Sequence, residues 1–378
     1  MSERFVPSSF CRRVGSAKMV YADVTRTPMP DPLTGFPPDL LPDRFDDVEA
    51  LEEFMTLPGP ALIADLADLD GDIIILGVGG KMGPTLARLA KRAAPNKRVI
   101  GVARFTQPGL EDLLRSWDIE ILKCDLLDRV AVAALPKPAN VVFMAGRKFG
   151  TSGRLDLTWA MNVHLPALIA EVFRESRIVV FSTGNVYPFV GVDSGGATEG
   201  TLAGPIGEYA QSCLGRERMF EYFSRKHGTL GKIIRLNYAI DMRYGVLWDI
   251  ATKVRDQRPI DVTAGHVNVI WQGDANSHAL RCFRYCTSPT TPLNITGPET
   301  ARVRALAQAL GQRLGNDPLF TGTEDPSGWL SNAGEAARVL GKPSVPLDKM
   351  IDWVADWVAR DMTNLDKPTA YDNRNGSF

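Results

Sequence analysis

The chain has 378 residues, 44% hydrophobic and 23% charged, with a formal net charge of −1 at pH 7. That length supports one large or two ordinary domains with a sizeable core, and the near-neutral balance excludes a global field that would draw nucleic acid or an anionic membrane. No segment approaches the ~20 apolar residues of a membrane span, and the N-terminus has no signal-like apolar run. The five cysteines form no CxxC pair, and the four histidines (164, 227, 266, 278) have no metal-ligand spacing. A reduced, cytoplasmic protein without a bound metal is the expectation.

Residues 1–70 read as an extension. Its stretch TRTPMPDPLTGFPPDLLPD (25–43) carries six prolines and predicts an extended surface segment. Short helices are expected at 46–55 and 60–69, covering a domain edge or forming an oligomer arm. From residue 72 short apolar runs alternate with helical patterns. DIIILGV (72–78), RVIGVA (98–103), IEILKCD (119–125), NVVFMAG (140–146), RIVVFSTG (177–184) and GKIIRLN (231–237) read as buried strands. Helical patterns follow at 82–94 and 109–117, and two long ones at 153–174 and 206–226. This alternation predicts an α/β fold, a Rossmann-type doubly wound parallel sheet spanning 71–237. Beyond 238 the alternation fails, and 238–362 reads as a smaller α/β cap that binds substrate. Within it 261–271 is strand-like, and PLNIT (292–296) returns as the last strand of the sheet. The polar tail, 363–378, is expected to fray.

The turn LGVGGKMG (76–83) closes the first strand and opens the first helix, with Gly77, Gly80 and Gly83 spaced GxxGxxG. Glycine permits the unusual backbone of such a turn and lets a pyrophosphate approach the helix N-terminus, so dinucleotide binding is expected here. The second strand ends in Ala103 and Arg104 rather than an acid. A cation without a carboxylate at that point favours NADP over NAD.

With FSTGNVY (181–187) after the fifth strand and EYAQSC (208–213) on the next helix, the chain resembles the extended short-chain dehydrogenase/reductases, the family of NAD(P)-dependent epimerases and dehydratases. The resemblance covers roughly 72–360 and also rests on CDLLD (124–128), VVFMAG (141–146), MNVHLPALI (161–169) and LNITGPE (293–299). It implies Tyr209 as the acid/base, Thr183 as the hydroxyl at the reacting oxygen, and Asn162 as support for the tyrosine and a relay water. It implies cofactor contacts from Lys81, Met82, Asp125, Leu126, Ala145, Gly146 and Tyr209 as well as the glycine turn and Arg104. Substrate contacts are expected from Arg147, Lys148, Asn185, Asn237 and Arg243. It also implies a homodimer paired through the helices at 153–174 and 206–226.

Two departures from the family matter. Four residues after the tyrosine, where the family has a lysine, stands Cys213. Unperturbed tyrosine titrates near ~10, and a neutral thiol supplies no field to lower it. Arg216 lies on the same helical face but a turn beyond the lysine's place, and Lys148 is a second candidate cation. Cys213 is either packing or itself a reactive member of the catalytic set. Secondly, the arginine and the YGP element of nucleotide-sugar members are missing from GHVNVIWQGD (265–274) and LNYAIDMRYG (236–245). The reading is therefore an NAD(P)-dependent oxidoreductase or epimerase acting on a free sugar, sugar acid or similar small substrate. The alternatives are a nucleotide-sugar epimerase or dehydratase, and a catalytically decayed cofactor-binding scaffold or redox sensor.

Overall fold

Residues 40–148, 153–367 and 369–376 are described by a computed structural model. Most of the proline-rich segment lies outside the described residues. The strand predictions resolve into β1 (Ile73–Leu76), β2 (Val99–Ala103), β3 (Glu120–Lys123), β4 (Asn140–Phe143), β5 (Arg177–Thr183), β6 (Gly231–Leu236) and β7 (Thr291–Ile295). They form one seven-stranded sheet, β3-β2-β1-β4-β5-β6-β7, parallel at every pairing.

The apolar character of β1 has a direct cause. Ile73 and Ile75 face one layer of helices, with Leu86, Leu89 and Ala279, while Ile74 and Leu76 face the other, with Leu165, Ile169 and Phe220. Successive side chains point to opposite faces, so a strand covered on both sides must be apolar throughout. The chain leaves β1 towards β2 on one side and enters β4 on the other. A crevice opens at that reversal, at the carboxyl ends of the strands.

A separate core joins the helices Val246–Arg255, Val303–Leu314 and Leu347–Ala359. The helix Val48–Met55 belongs to it through Leu51 and Met55, and Phe45 packs edge-on against Trp353 with ring centroids 4.8 Å apart. The helix Pro60–Ala67 instead buries Leu62 and Leu66 against the sheet. Its Asp65 accepts from Arg281 Nε at 2.7 Å and from Arg284 Nη1 at 2.8 Å. The two N-terminal helices are thus integral to the fold.

Two expectations are corrected. Residues 261–271 do not form one strand but three two-residue strands, Ile260–Asp261, His266–Val267 and Ile270–Trp271, each with a different partner. The described part of the tail does not fray. Tyr371 is 2% exposed, Asp372 pairs with Lys253 at 3.1 Å, and Arg374 pairs with Asp325 at 3.2 Å. Arg374 also lies 4.0 Å above the Phe189 ring. Asp372 and Arg374 have tertiary partners, which local composition cannot reveal. Among the described residues no helix is long and apolar enough to cross a membrane.

Candidate active site

The glycine turn carries three distinct constraints. Gly77 takes φ +95°, and a Cβ there would lie 2.6 Å from the Ala145 nitrogen. Gly83 starts the helix Gly83–Ala93, and its Cβ would lie 2.1 Å from the Val78 oxygen. Both glycines are required by the fold itself. Gly80 is different: its nearest neighbour to an added Cβ is the Gly77 oxygen at 3.6 Å, an ordinary contact. Packing does not demand glycine there, yet Gly80 lines the crevice, and the missing side chain leaves its wall open to a close ligand. The helix it precedes has no side-chain cap. This cradle fits a dinucleotide pyrophosphate.

The crevice is open to solvent and, with the solvent at its mouth, spans about 1120 Å³. Its walls come from the ends of β1, β4, β5 and β6, from the helix Gly207–His227, and from Thr369 of the tail. Of the expected site residues, Gly80, Lys81, Met82, Gly146, Arg147, Lys148, Thr183, Asn185, Tyr209 and Asn237 line it. Asn162 and Cys213 are fully buried just behind the wall. Arg104 and Asp125 are exposed beyond the ends of β2 and β3, and Asp125 accepts from the Leu127 N–H at 3.0 Å. Leu126 and Ala145 are buried in the core.

Arg243 does not reach the crevice wall. Asp241 binds its guanidinium at 2.8 Å and Glu52 at 2.7 Å. The extension supplies Glu52, so this pairing was invisible from the motif.

Tyr209 lies in hydrogen-bond contact with Thr183 and Cys213. Burial pushes its phenol well above the ordinary range and Cys213 adds to that, while the Arg216 guanidinium opposes it. Burial likewise pushes the Cys213 thiol up, again opposed by Arg216. Cys213 packs among Val186, Tyr187 and Ala197. Such a thiol is neutral and inert.

Arg216, a turn beyond Cys213, places its charge where it acts on Tyr209. Helical side chains lean towards the N-terminus, so an arginine three residues beyond Cys213 reaches back over it. Its Nη1 donates to the Phe181 carbonyl and its Nη2 to Asn162 Oδ1, each at 2.7 Å. Gly146 makes room: a Cβ there would sit 2.3 Å from Arg216 Nη2. The Asn162 amide is saturated. Its oxygen also accepts from the Arg147 N–H at 2.9 Å, and its nitrogen donates to the Arg147 carbonyl and Ser212 Oγ, each at 3.0 Å. Asn162 sits in a π-helical turn, Ala160–His164, where Leu165 N–H bonds the Ala160 carbonyl. Such wide turns recur at functional sites and here aim the amide at the crevice floor.

Behind Tyr209 the long helix is locked to the sheet by a buried network. Arg235 on β6 pairs with Glu217 at 2.7 Å, with side chains 6% and 0% exposed. Ser182 Oγ donates to Glu217 at 2.6 Å, Arg235 Nη1 donates to Tyr187 Oη at 2.8 Å, and Tyr187 donates to Asn294 Oδ1 at 2.9 Å. Four elements are thereby held in one register.

Sequence reasoning missed Met144, Ser182, Tyr238, Tyr244 and Thr369 as wall residues. Tyr238 carried no glycine-like signal, although it takes φ +43°, a conformation costly for a bulky residue.

No protein-family model and no curated protein sequence matches the chain. Solved structures do. UDP-glucose 4-epimerase from Thermotoga maritima, determined with UDP-glucose, aligns with a TM-score of 0.63 at 16% identity, over 77% of this chain and 99% of that one. dTDP-glucose 4,6-dehydratase from Streptomyces venezuelae, with NAD and TYD bound, aligns with a TM-score of 0.65 at 19% identity, over 77% and 97%. UDP-glucuronic acid 4-epimerase from Bacillus cereus, in complex with NAD, gives 0.62 at 15% identity, over 76% and 96%. The chain has the fold of these enzymes. The aligned portion matches nearly their whole length, and about a quarter of this chain lies outside the match.

Proposed function

We propose that the protein is an extended short-chain dehydrogenase/reductase that binds a nicotinamide dinucleotide and acts on the hydroxyl or keto carbon of a small carbohydrate-like substrate. The observation that carries this reading is the convergence on one crevice wall of Tyr209 and Thr183, beside the open glycine cradle at Gly80. The dinucleotide, when bound, supplies hydride chemistry. The protein's own residues handle the proton. A buried, neutral phenol at Tyr209 is a proton donor to a carbonyl oxygen, and Thr183 orients that oxygen. In the reverse sense Tyr209 must accept a proton, and the Arg216 charge beneath it favours the phenolate. Fixed cations need no reorganisation when charge develops.

The nucleotide-sugar alternative is favoured by the structural neighbours, a UDP-glucose epimerase and a dTDP-glucose dehydratase among them. Against it stands the engagement of Arg243 by Asp241 and Glu52, which leaves that arginine without a free face for a diphosphate. The decayed-scaffold alternative loses its main support, because Arg216 supplies the charge that Cys213 lacks.

Dinucleotide titration tests the reading. NADPH is expected to bind more tightly than NADH, and Arg104→Ala is expected to weaken NADPH about tenfold with NADH nearly unchanged, as for one lost charge-assisted contact. Absence of binding by either dinucleotide would defeat the proposal. Arg216→Gln, which keeps hydrogen bonding but removes the charge, is expected to cut kcat about ten- to hundredfold. It should also move the basic limb of the kcat profile to higher pH, since the charge that lowers the Tyr209 pKa is gone. An unmoved limb would show that Arg216 does not tune Tyr209.

A further inference from the structure

The tail that composition marks as loose is fastened at both ends, and both ends lie at the active site. Thr369 lines the crevice, is 2% exposed, and donates its hydroxyl to Asp249 on the cap helix Val246–Arg255. Ala370 follows at φ +52°, a left-handed conformation that alanine keeps only where its neighbours fix it. They do so here. Tyr371 is buried in the cap core, and Asp372 pairs with Lys253 on the same cap helix at 3.1 Å.

From there the tail leaves the cap. Arg374 Nη1 donates to the Ser327 carbonyl at 2.7 Å and Nη2 to Ser327 Oγ at 3.0 Å, while the guanidinium pairs with Asp325 and covers the Phe189 ring. This is a junction between the cap and the sheet. The strand Ser327–Gly328 pairs antiparallel with Val190–Gly191, which follows Thr183 and β5 in the chain, and Phe189 packs on Trp329 with centroids 4.7 Å apart. Two residues beyond Arg374, Gly376 meets Gly207, the first residue of the helix that carries Tyr209. Both glycines take positive φ, +77° and +81°. A Cβ on Gly207 would lie 2.5 Å from the Gly376 oxygen, and one on Gly376 would lie 2.2 Å from the Ile206 oxygen. The two backbones touch, and neither position admits a side chain.

The helix needs such a contact at its start. It begins after Ile206, which has no side-chain oxygen to offer the free N–H groups, and no side chain caps it. The Glu217–Arg235 lock lies well beyond the first turn. Nearer the start, Glu208 accepts from Trp159 Nε1 and Ser212 accepts from Asn162. Those bonds tie the helix to its neighbours in the sheet domain, and neither sets it against the cap.

We infer that the C-terminal segment 369–376 is a positioning strap of the active site. Thr369 completes the crevice wall, and Arg374 and Gly376 set Tyr209 and the loop after Thr183 against the cap. This rests on the roles proposed above for Tyr209 and Thr183. Arg374 and Gly376 act as positioning residues, through the helix start and Phe189, and not by contact with a reacting group.

A fluorine label reads Tyr209 directly. In the full chain with 3-fluorotyrosine in place of Tyr209, Gly376→Ala and Arg374→Met are each expected to move the fluorine resonance towards its position in the urea-denatured chain. In the unlabelled variants, hydrogen exchange of the 210–213 amides is expected to quicken about tenfold, while the 218–226 amides stay within about twofold of wild type, because the Glu217–Arg235 pair is untouched. An unmoved resonance with unchanged exchange at 210–213 in both variants would overturn the inference. Equal quickening of the two segments would overturn it as well, since the tail would then support the fold at large and not the start of this helix. NADPH affinity is expected to stay within about twofold of wild type, as for sites without shared partners. A loss of NADPH affinity as large as the exchange effect would assign the tail to the dinucleotide instead. Failure of the dinucleotide reading shows separately, as absence of NADPH binding by the wild type, and leaves the fluorine and exchange comparisons intact.

Discussion

Tyr209→Phe is expected to lower turnover about 10²- to 10⁴-fold, the usual contribution of a positioned general acid or base, while leaving dinucleotide affinity within about twofold. The phenol is the crevice-lining group in contact with both Thr183 and Cys213, and it lies over the Arg216 charge. Removing one oxygen keeps the ring and its packing, so a fold defect should not confound the result. Steady-state kcat and an equilibrium dinucleotide titration on the same preparation separate chemistry from binding. Full turnover in the phenylalanine variant would remove Tyr209 from the mechanism. If proton transfer passed instead through Cys213, Cys213→Ala would show the large loss, which its apolar packing argues against.

The second large effect concerns stability. Arg235→Met is expected to destabilise the protein by about 3–5 kcal/mol, because it leaves the Glu217 carboxylate buried without its partner. Glu217 is fully enclosed, and Arg235 reaches it through three contacts of 2.7, 3.1 and 3.2 Å. The same substitution removes the donor to Tyr187. Combining Arg235→Met with Glu217→Leu should cost less than Arg235→Met alone, since no uncompensated charge remains. Denaturant unfolding of the single and double variants measures this. A single-variant loss below about 1 kcal/mol would show that the pair is not the lock between helix and sheet. Because Glu217 lies on the helix that carries Tyr209, the single variant is also expected to loosen the catalytic geometry before it unfolds.

The parallel sheet was legible because burial on both faces leaves a plain record. Strands such as IIIL at 73–76 have no polar position to spare, and the helices between them repeat at the helical period. The glycine turn was legible for a similar reason, since backbone geometry at Gly77 and Gly83 admits no side chain. The cation acting on Tyr209 was not. A motif reads spacing along a helix, and Arg216 reaches its place by leaning back one turn into room made by Gly146 on a different element. Arg243 failed in the opposite way. It had the right charge near the right loop, but Glu52, nearly two hundred residues earlier in the chain, holds it. The tail was misread because its polar residues are paired by tertiary neighbours rather than by solvent.

The sequence by itself determined the layered α/β architecture, the turn able to admit a dinucleotide, and the presence of Tyr209 and Thr183 on a helix and a strand that end at one edge of the sheet. These follow from period, burial and backbone freedom, which are local properties. Tertiary structure alone decided which cation lies under Tyr209 and which arginine is withheld from the crevice. Those are matters of side-chain reach and of charge partners distant in the chain, and no local pattern encodes them.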